Sequence, residues 1–408
     1  MTQSETSLME CIETDDVERA RQIFLSDASV RVDCLDSSGT TPLQHACFKG
    51  RAALCRLLLS RGADVNSNEH EHGYTALMFA ALSGRPDLCL LLLEAGAKPY
   101  ATNRIGKTAA ELGAFTGQHQ CVSVINNFLS LEEVERVVKP HGVAATEKLP
   151  LHYAPRLHAL ARTANVHPVR TTLFLLANEE LLNHEKGLLL VLDDLFEGQM
   201  RRKHTNEVMA LKLHVLVHVV REAFGFVHKQ KAGADGAQKS TTDLLRTFLR
   251  MLLIADTEKH WYQRHAEQLL RQAVQKFPYH QSVLFQTLVK TLAGSPLGSL
   301  PTTADTLHQA ILGQQRMLDG RFCRACGDDG ADKKCSSCRA VNYCSKECQK
   351  LHWFAHKRFC PDLASAPPSA AAPATTVDDV NHSADRASPM DVEAKQHAVD
   401  VQDIKVQT

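Results

Sequence analysis

Between Cys323 and Cys360 the chain reads CRACGDDGADKKCSSCRAVNYCSKECQKLHWFAHKRFC, and this stretch limits what the C-terminal part can fold into. Seven of the chain's 13 cysteines fall within it, and His356 adds an eighth ligand-type side chain. The spacing is Cys323-x2-Cys326-x8-Cys335-x2-Cys338-x5-Cys344-x3-Cys348-x7-His356-x3-Cys360. Eight soft or borderline donors are enough for two four-coordinate ions. Zn²⁺ favours tetrahedral Cys and His ligation. A centre with four protein ligands is closed and structural, whereas a catalytic zinc keeps one position open. A segment this short cannot bury a core of its own, so metal binding is expected to supply its folding free energy, on the order of 10 kcal/mol per site. A disulfide cluster is the alternative. Nothing else in the chain points to an oxidising compartment, so zinc is the preferred reading.

The spacing, the Tyr343-Cys344 pair and the run Gln349…Trp353…His356-Lys357…Cys360 resemble a MYND finger. The resemblance implies a cross-brace. Cys323, Cys326, Cys344 and Cys348 would hold one zinc ion, and Cys335, Cys338, His356 and Cys360 the other. It also implies a shallow groove for proline-containing peptides of the Pro-x-Leu-x-Pro kind, lined by Gln349 and Trp353. An exposed Trp suits a proline ring; packing of Trp353 against its own helix or the middle of the chain is the alternative. His352 lies four residues before His356, on the same face if the segment is helical. It reads as a surface or packing histidine, with replacement of His356 as ligand the alternative. Other finger proteins of this kind carry a SET methyltransferase domain, and this chain has neither the length nor the cofactor motifs for one. The finger is basic, with Arg324, Lys333, Lys334, Arg339, Lys346, Lys350, Lys357 and Arg358. It lacks an element with base-reading residues at finger-helix spacing, so nucleic acid is not the expected ligand.

The first third repeats. Asp36–Ala46 with Thr41-Pro42-Leu43 leads to Gly50, Leu57–Leu59 and Gly62. His72–Ala80 with Thr75-Ala76-Leu77 leads to Gly84, Leu91–Leu93 and Gly96, and Asn103–Ala110 leads to Gly117 and Val124-Ile125. The period of about 33 residues is that of ankyrin repeats, a β-turn plus two helices per unit. Thr41, Thr75 and Thr108 are placed to cap the first helices, and each following glycine supplies a backbone conformation that a Cβ penalises. Residues 7–33 read as a degenerate first unit, with Asp15-Asp16-Val17 in place of the glycine turn. The unit after Asn103 is expected to end the array by docking on the next part of the chain. Four units result, and single units cannot bury their apolar faces alone. The tips at Asp36–Thr40, His70–Tyr74 and Arg104–Lys107 and the first helices are the expected protein-binding surface, with His70 and His72 read as exposed tip histidines. Gly106-Lys107-Thr108 is not a phosphate loop, because position 101 is alanine where that motif needs glycine.

Apolar stripes at helical spacing occupy the middle of the chain: Met209, Leu213, Val217, Val220; Leu244, Leu245, Phe248, Leu252; Leu269, Leu270, Val274, Phe277; and Val283, Leu284, Leu288, Leu292. Pro278 and Gly294 stop the last two. His214, His218, His228, His260 and His265 lack the Glu and third ligand of a His-Glu-x-x-His site and read as core or surface residues. No nucleophile-and-base pair and no cofactor loop stands out, so the chain is not expected to be an enzyme. The scattered Cys11, Cys34, Cys47, Cys55, Cys89 and Cys121 read as small apolar residues.

The expected architecture is mainly α: an ankyrin-repeat solenoid (1–133), a linker (134–154), an α-helical middle domain (155–319), a small cross-braced two-zinc finger (320–361) and a disordered tail (362–408). The tail is rich in Ala, Pro, Ser and Asp, and being acidic it is expected to screen the basic finger. Formal net charge is zero, which gives no global pull toward nucleic acid or membrane. The polar, acidic N-terminus is not expected to be a signal peptide, and no apolar run reaches a membrane span. An intracellular, cytoplasmic location is expected. The order of parts resembles the ankyrin-repeat and MYND-domain proteins. That resemblance implies a non-enzymatic adaptor linked to delivery of signalling proteins to the primary cilium. The alternative is a nuclear transcriptional co-regulator whose finger recruits repressor complexes; Arg201-Arg202-Lys203-His204 is the nearest approach to an import signal, and it is short.

Overall fold

Paired helices set by threonine caps and glycine turns build the N-terminal array. A computed structural model of the chain describes residues 1–139, 148–233, 239–256, 262–313 and 322–365. The centre of the expected linker, part of the loop after Lys231, His260 and the tail from residue 366 lie outside the described residues. The array comprises α1 (Gln3–Thr14) and α2 (Val17–Ser26), α3 (Pro42–Phe48) and α4 (Ala52–Ser60), α5 (Ala76–Leu82) and α6 (Pro86–Glu94), and α7 (Ala109–Phe115) and α8 (His119–Asn126). Thr41, Thr75 and Thr108 cap α3, α5 and α7 with reciprocal capping boxes. Each such cap is worth about 1 kcal/mol. Gly50, Gly84 and Gly117 take φ of 72°, 66° and 75° after those helices. In the degenerate first unit Asp15 adopts the same left-handed conformation at φ 59°, so an aspartate does the work of glycine there.

Stacking depends on polar stitches as well as leucines. The buried Gln44 Nε2 donates to the carbonyls of Ser67 and Tyr74, both at 2.9 Å, and so ties one repeat to the next. Leu54, Leu58, Leu88 and Leu92 on the second helices are essentially unexposed. Each contributes roughly 1.5–3 kcal/mol on burial.

A helical body comes next: α9 (Leu131–Val138), α10 (Ala154–Arg162), α11 (Pro168–Ala177), α12 (Glu185–Met200), α13 (Glu207–Ala232), α14 (Thr241–Leu253), α15 (Arg264–Gln275), α16 (Val283–Ala293) and α17 (Thr303–Leu312). Helix α13 is central: its buried residues face all round, as a helix surrounded by others requires. Helix α9 crosses the expected boundary at residue 133, and its Val134 and Val138 join the apolar core of the helical body rather than that of the array. The array docks through its last unit. Asn206 Nδ2 donates to the Asn126 carbonyl at 2.8 Å, and Asn127 Nδ2 donates to the Ile311 carbonyl at 2.9 Å. His214 Nε2 meets the Ala273 carbonyl at 2.9 Å and its ring packs on Phe277. His218 is buried beside it, and burial lowers its pKa to about 4. Both are core residues.

The finger closes the described chain. Its strands β1 (Lys333–Lys334) and β2 (Asn342–Tyr343) pair antiparallel, with Lys333 opposite Tyr343. Helices α18 (Lys346–His356) and α19 (Cys360–Ser365) complete it. The finger's buried Cys323, Ala325, Cys326 and Tyr343 belong to the same apolar cluster as the helical body, so the finger is part of that core.

Candidate metal centres and peptide groove

Two tight turns and one helix bring the eight donors together. The first turn is closed by Cys323 N donating to Asp328 O at 2.7 Å and Gly327 N donating to Cys323 O at 2.8 Å. Gly327 has φ 75°, and a side chain there would press on the ring of His167. The second turn is closed by Cys335 N donating to Val341 O and Arg339 N donating to Cys335 O, with Arg339 itself at φ 57°. Ser345 caps α18 by accepting from Cys348 N at 3.1 Å. Cys348 therefore lies in the first turn of α18 and His356 at its end. Eight residues at 1.5 Å rise separate them by about 12 Å, so one helix reaches both centres.

The donors gather as Cys323, Cys326, Cys344 and Cys348 in one group and Cys335, Cys338, His356 and Cys360 in the other, with the ligand atoms of each group within 4.8 Å of one another. The spacing of the donors tests whether a metal fits. A tetrahedron with Zn–S near 2.3 Å has S···S edges of about 3.8 Å, and an S···N edge of about 3.6 Å. The sulfurs of Cys326, Cys344 and Cys348 are 3.5–3.7 Å apart, Cys335 and Cys360 are 3.8 Å apart, and Cys338 Sγ is 3.5 Å from His356 Nε2. Both groups fit zinc. Without a cation, four thiols this close cannot all ionise. Hydrogen bonds from Cys326 and Cys348 push Cys323 down, while the same kind of contact pushes Cys326 well up. A dication in each group relieves that conflict.

His352 is not in either group. Its Nδ1 lies 3.0 Å from the buried Tyr343 hydroxyl and its ring stacks on His356. It is a packing residue between the centres.

The first centre is braced by the helical body, and nothing in the local spacing of the finger announces this. Asn165 Nδ2 donates to the Cys326 carbonyl at 2.8 Å and to Asp328 Oδ1 at 2.6 Å. Gln263 Nε2 donates to the Arg324 carbonyl at 2.9 Å, and Arg170 lies 3.5 Å from Asp328. These residues hold the ligand-bearing turn rather than the metal. Gln263 stands 61 residues before its partner and Asn165 161 residues before Cys326, and no motif marks either of them.

On the outer side, Gln349, Lys350 and Trp353 of α18 and Cys335, Ser336 and Ser337 of the second turn line a shallow groove. Trp353 is 45% exposed and leans on His356, so its indole is available at the groove edge.

At the array tips the structure corrects one expectation. His70 is buried, not exposed: its ring stacks on Tyr74 and meets Phe79 edge-on, and its Nδ1 accepts from His72 N. Tyr74 and Thr40 are buried too. Phe79 on α5 draws the His70 and Tyr74 rings inward. The available tip surface is then carried by residues such as Glu71, His72, Arg104 and Ile105, joined by the exposed Phe115 at the end of α7.

Two families match the chain: ankyrin repeats, in three copies over residues 8–103, and the MYND finger over residues 323–360. The α7–α8 pair lies past the matched repeats. The chain is also similar to Dauer abnormal formation protein 25 of Caenorhabditis elegans, 34% identical over 359 residues that cover 87% of this chain and 90% of that protein. With repeats, finger and a relative matched along nearly the whole length, the chain belongs to the ankyrin-repeat proteins that carry a MYND finger.

Proposed function

We propose that the protein is a non-enzymatic adaptor with two docking surfaces, the array for one protein partner and the finger groove for a proline-containing peptide. Eight donors in two closed groups would hold two zinc ions as structural elements, with Cys323, Cys326, Cys344 and Cys348 as one ligand set and Cys335, Cys338, His356 and Cys360 as the other. The observation that carries the reading is the placement of Gln349 and Trp353 on one wall of a groove, with the indole 45% exposed. A rigid, half-exposed aromatic beside amide and hydroxyl groups is the surface a proline ring and a peptide backbone require. Both matching families are interaction modules. A cytoplasmic place of action, with delivery of signalling proteins to the primary cilium, is the pathway we take from the family resemblance. The nuclear alternative, with Arg201-Arg202-Lys203-His204 as its nearest import signal, has only Arg202 engaged by Glu133 and the Tyr100 ring while Arg201 and Lys203 stay exposed.

Trp353→Ala tests the groove. The variant is expected to keep two zinc equivalents and lose binding of a Pro-x-Leu-x-Pro peptide by about tenfold or more, the loss of one aromatic anchor. Unchanged peptide affinity with zinc retained would sink the groove assignment.

A further inference from the structure

We propose that the outer face of the finger selects an acidic peptide: the proline seats on Trp353, and carboxylates flanking it meet the lysines around the groove. This rests on the reading that the groove takes a peptide and adds the charge that the peptide carries.

Helix α18 and its C-cap residue Lys357 place Lys346, Gln349, Lys350, Trp353 and Lys357 at separations of three, one, three and four residues, which is one helix face. Lys350 lines the groove itself. Across it, Lys333 and Lys334 stand on β1 and lead directly into the Cys335–Ser337 wall. All of these lysines are exposed. None has a carboxylate within ion-pair distance among the described residues, although elsewhere Lys49, Lys107, Lys139, Lys148 and Lys276 do.

The acids of the finger are fewer than its lysines and arginines. Asp328 is half-buried between Asn165 and Arg170, while Asp329, 3.9 Å from His308, is exposed. Glu347, in the first turn of α18, is the acid that Lys333 and Lys350 feel. Asp332 and Asp362 are also exposed, and they leave the lysines in excess.

Dimensions favour a peptide. The 11 residues of α18 span about 16 Å, the length of about five residues of extended chain. A five-residue Pro-x-Leu-x-Pro core fills it, and its flanks fall at the lysines near either end. A phosphate backbone would meet the same lysines, and so it belongs among the outcomes of the test.

The experiment uses the zinc-loaded full chain and three labelled peptides. They share a Pro-Ala-Leu-Ala-Pro core and carry paired Glu, Gln or Lys residues on both sides. Fluorescence anisotropy gives Kd at about 50 and about 300 mM salt. The Glu peptide is expected to bind about tenfold tighter than the Gln peptide at low salt, as several rim ion pairs add, with the gap shrinking at high salt. The triple variant Lys333→Gln, Lys346→Gln, Lys350→Gln should bring the Glu peptide to the level of the Gln peptide while retaining two zinc equivalents. Equal affinity for Glu and Gln peptides overturns the charge selection and leaves the groove standing. No binding of any peptide overturns both. A single-stranded or duplex oligonucleotide that binds more tightly than the Glu peptide and displaces it overturns the proposal in favour of phosphate.

Discussion

Replacing Lys212 with methionine should stabilise the protein, and by an amount that depends on pH. Lys212 lies on α13 with 0% exposure, and its Nζ meets no hydrogen-bond acceptor among the described residues. Burial first, and then the Arg162 guanidinium, lowers its pKa from 10.5 to about 7. In the unfolded chain the amine keeps its ordinary value. Between pH about 7 and 10.5 the unfolded chain therefore binds more protons than the folded one, and stability rises with pH across that window. Below pH about 7 the cost is fully present. At about 1.36 kcal/mol per pKa unit, the drop from 10.5 to about 7 amounts to roughly 4–5 kcal/mol near pH 7. About 1.5 kcal/mol of this is recovered by pH 8.5. Methionine keeps the length of the side chain and has no charge to desolvate. The variant should thus exceed the parent in stability at pH 7, and the difference should shrink by about 1.5 kcal/mol at pH 8.5. For a body of this size that is a narrowing of roughly 3–6 °C in melting midpoint. Scanning calorimetry of both zinc-loaded proteins at the two pH values reads it directly, because every other titrating group is common to the pair. Parallel pH profiles, or a variant less stable than the parent at pH 7, would refute the reasoning.

Asn165→Ala should remove the donor that holds the Cys326 carbonyl and Asp328, at a cost of about 1–3 kcal/mol for the groups left unpaired. Zinc should then pass to a colorimetric chelator faster from the first centre while the second keeps its rate, and identical biphasic release in variant and parent would tell against the brace. Cys344→Ser should break the first centre and reduce bound zinc below two equivalents by mass spectrometry. Because Cys323 and Cys326 share a core with the helical body, amide protection should fall there as well as in the finger, while α3 to α6 keep theirs. Two zinc ions retained, or protection lost only in the finger, would contradict that coupling.

The array and the metal centres were legible because their signals are local. Threonine caps, glycines at positive φ and ligands two or three residues apart follow from the geometry of a single turn or helix end, and the repeat period of about 33 residues multiplies them. The third helical stripe was legible for a related reason: Leu269, Leu270, Val274 and Phe277 do lie buried along α15 and just past it, whereas in the fourth stripe Val283 is exposed at the start of α16 and Phe285 is buried instead. His70 was not, because a tip residue's burial depends on which side chains arrive beside it, here Tyr74 and Phe79. Helix α9 was split across an expected linker because its helical pattern is short and its core partners lie on other helices. Lys212 sits among apolar positions as one polar residue in a helical stripe, and only packing on every side shows that its amine has no acceptor.

By itself, then, the sequence determined the repeats and the spacing of the eight ligand-type residues, since each depends on contacts among residues close in the chain or on strong metal chemistry; the division into two ligand sets and the choice of Gln349 and Trp353 followed from the resemblance to a MYND finger. Tertiary structure decided that the finger is fused to the helical body through Asn165, Gln263 and Arg170, that Asp328 is drawn against that body while the finger's lysines stay exposed, and that Trp353 stays half exposed. Those outcomes depend on surfaces that meet only after the chain has folded, where desolvation and hydrogen-bond partners come from residues as far as 161 positions away.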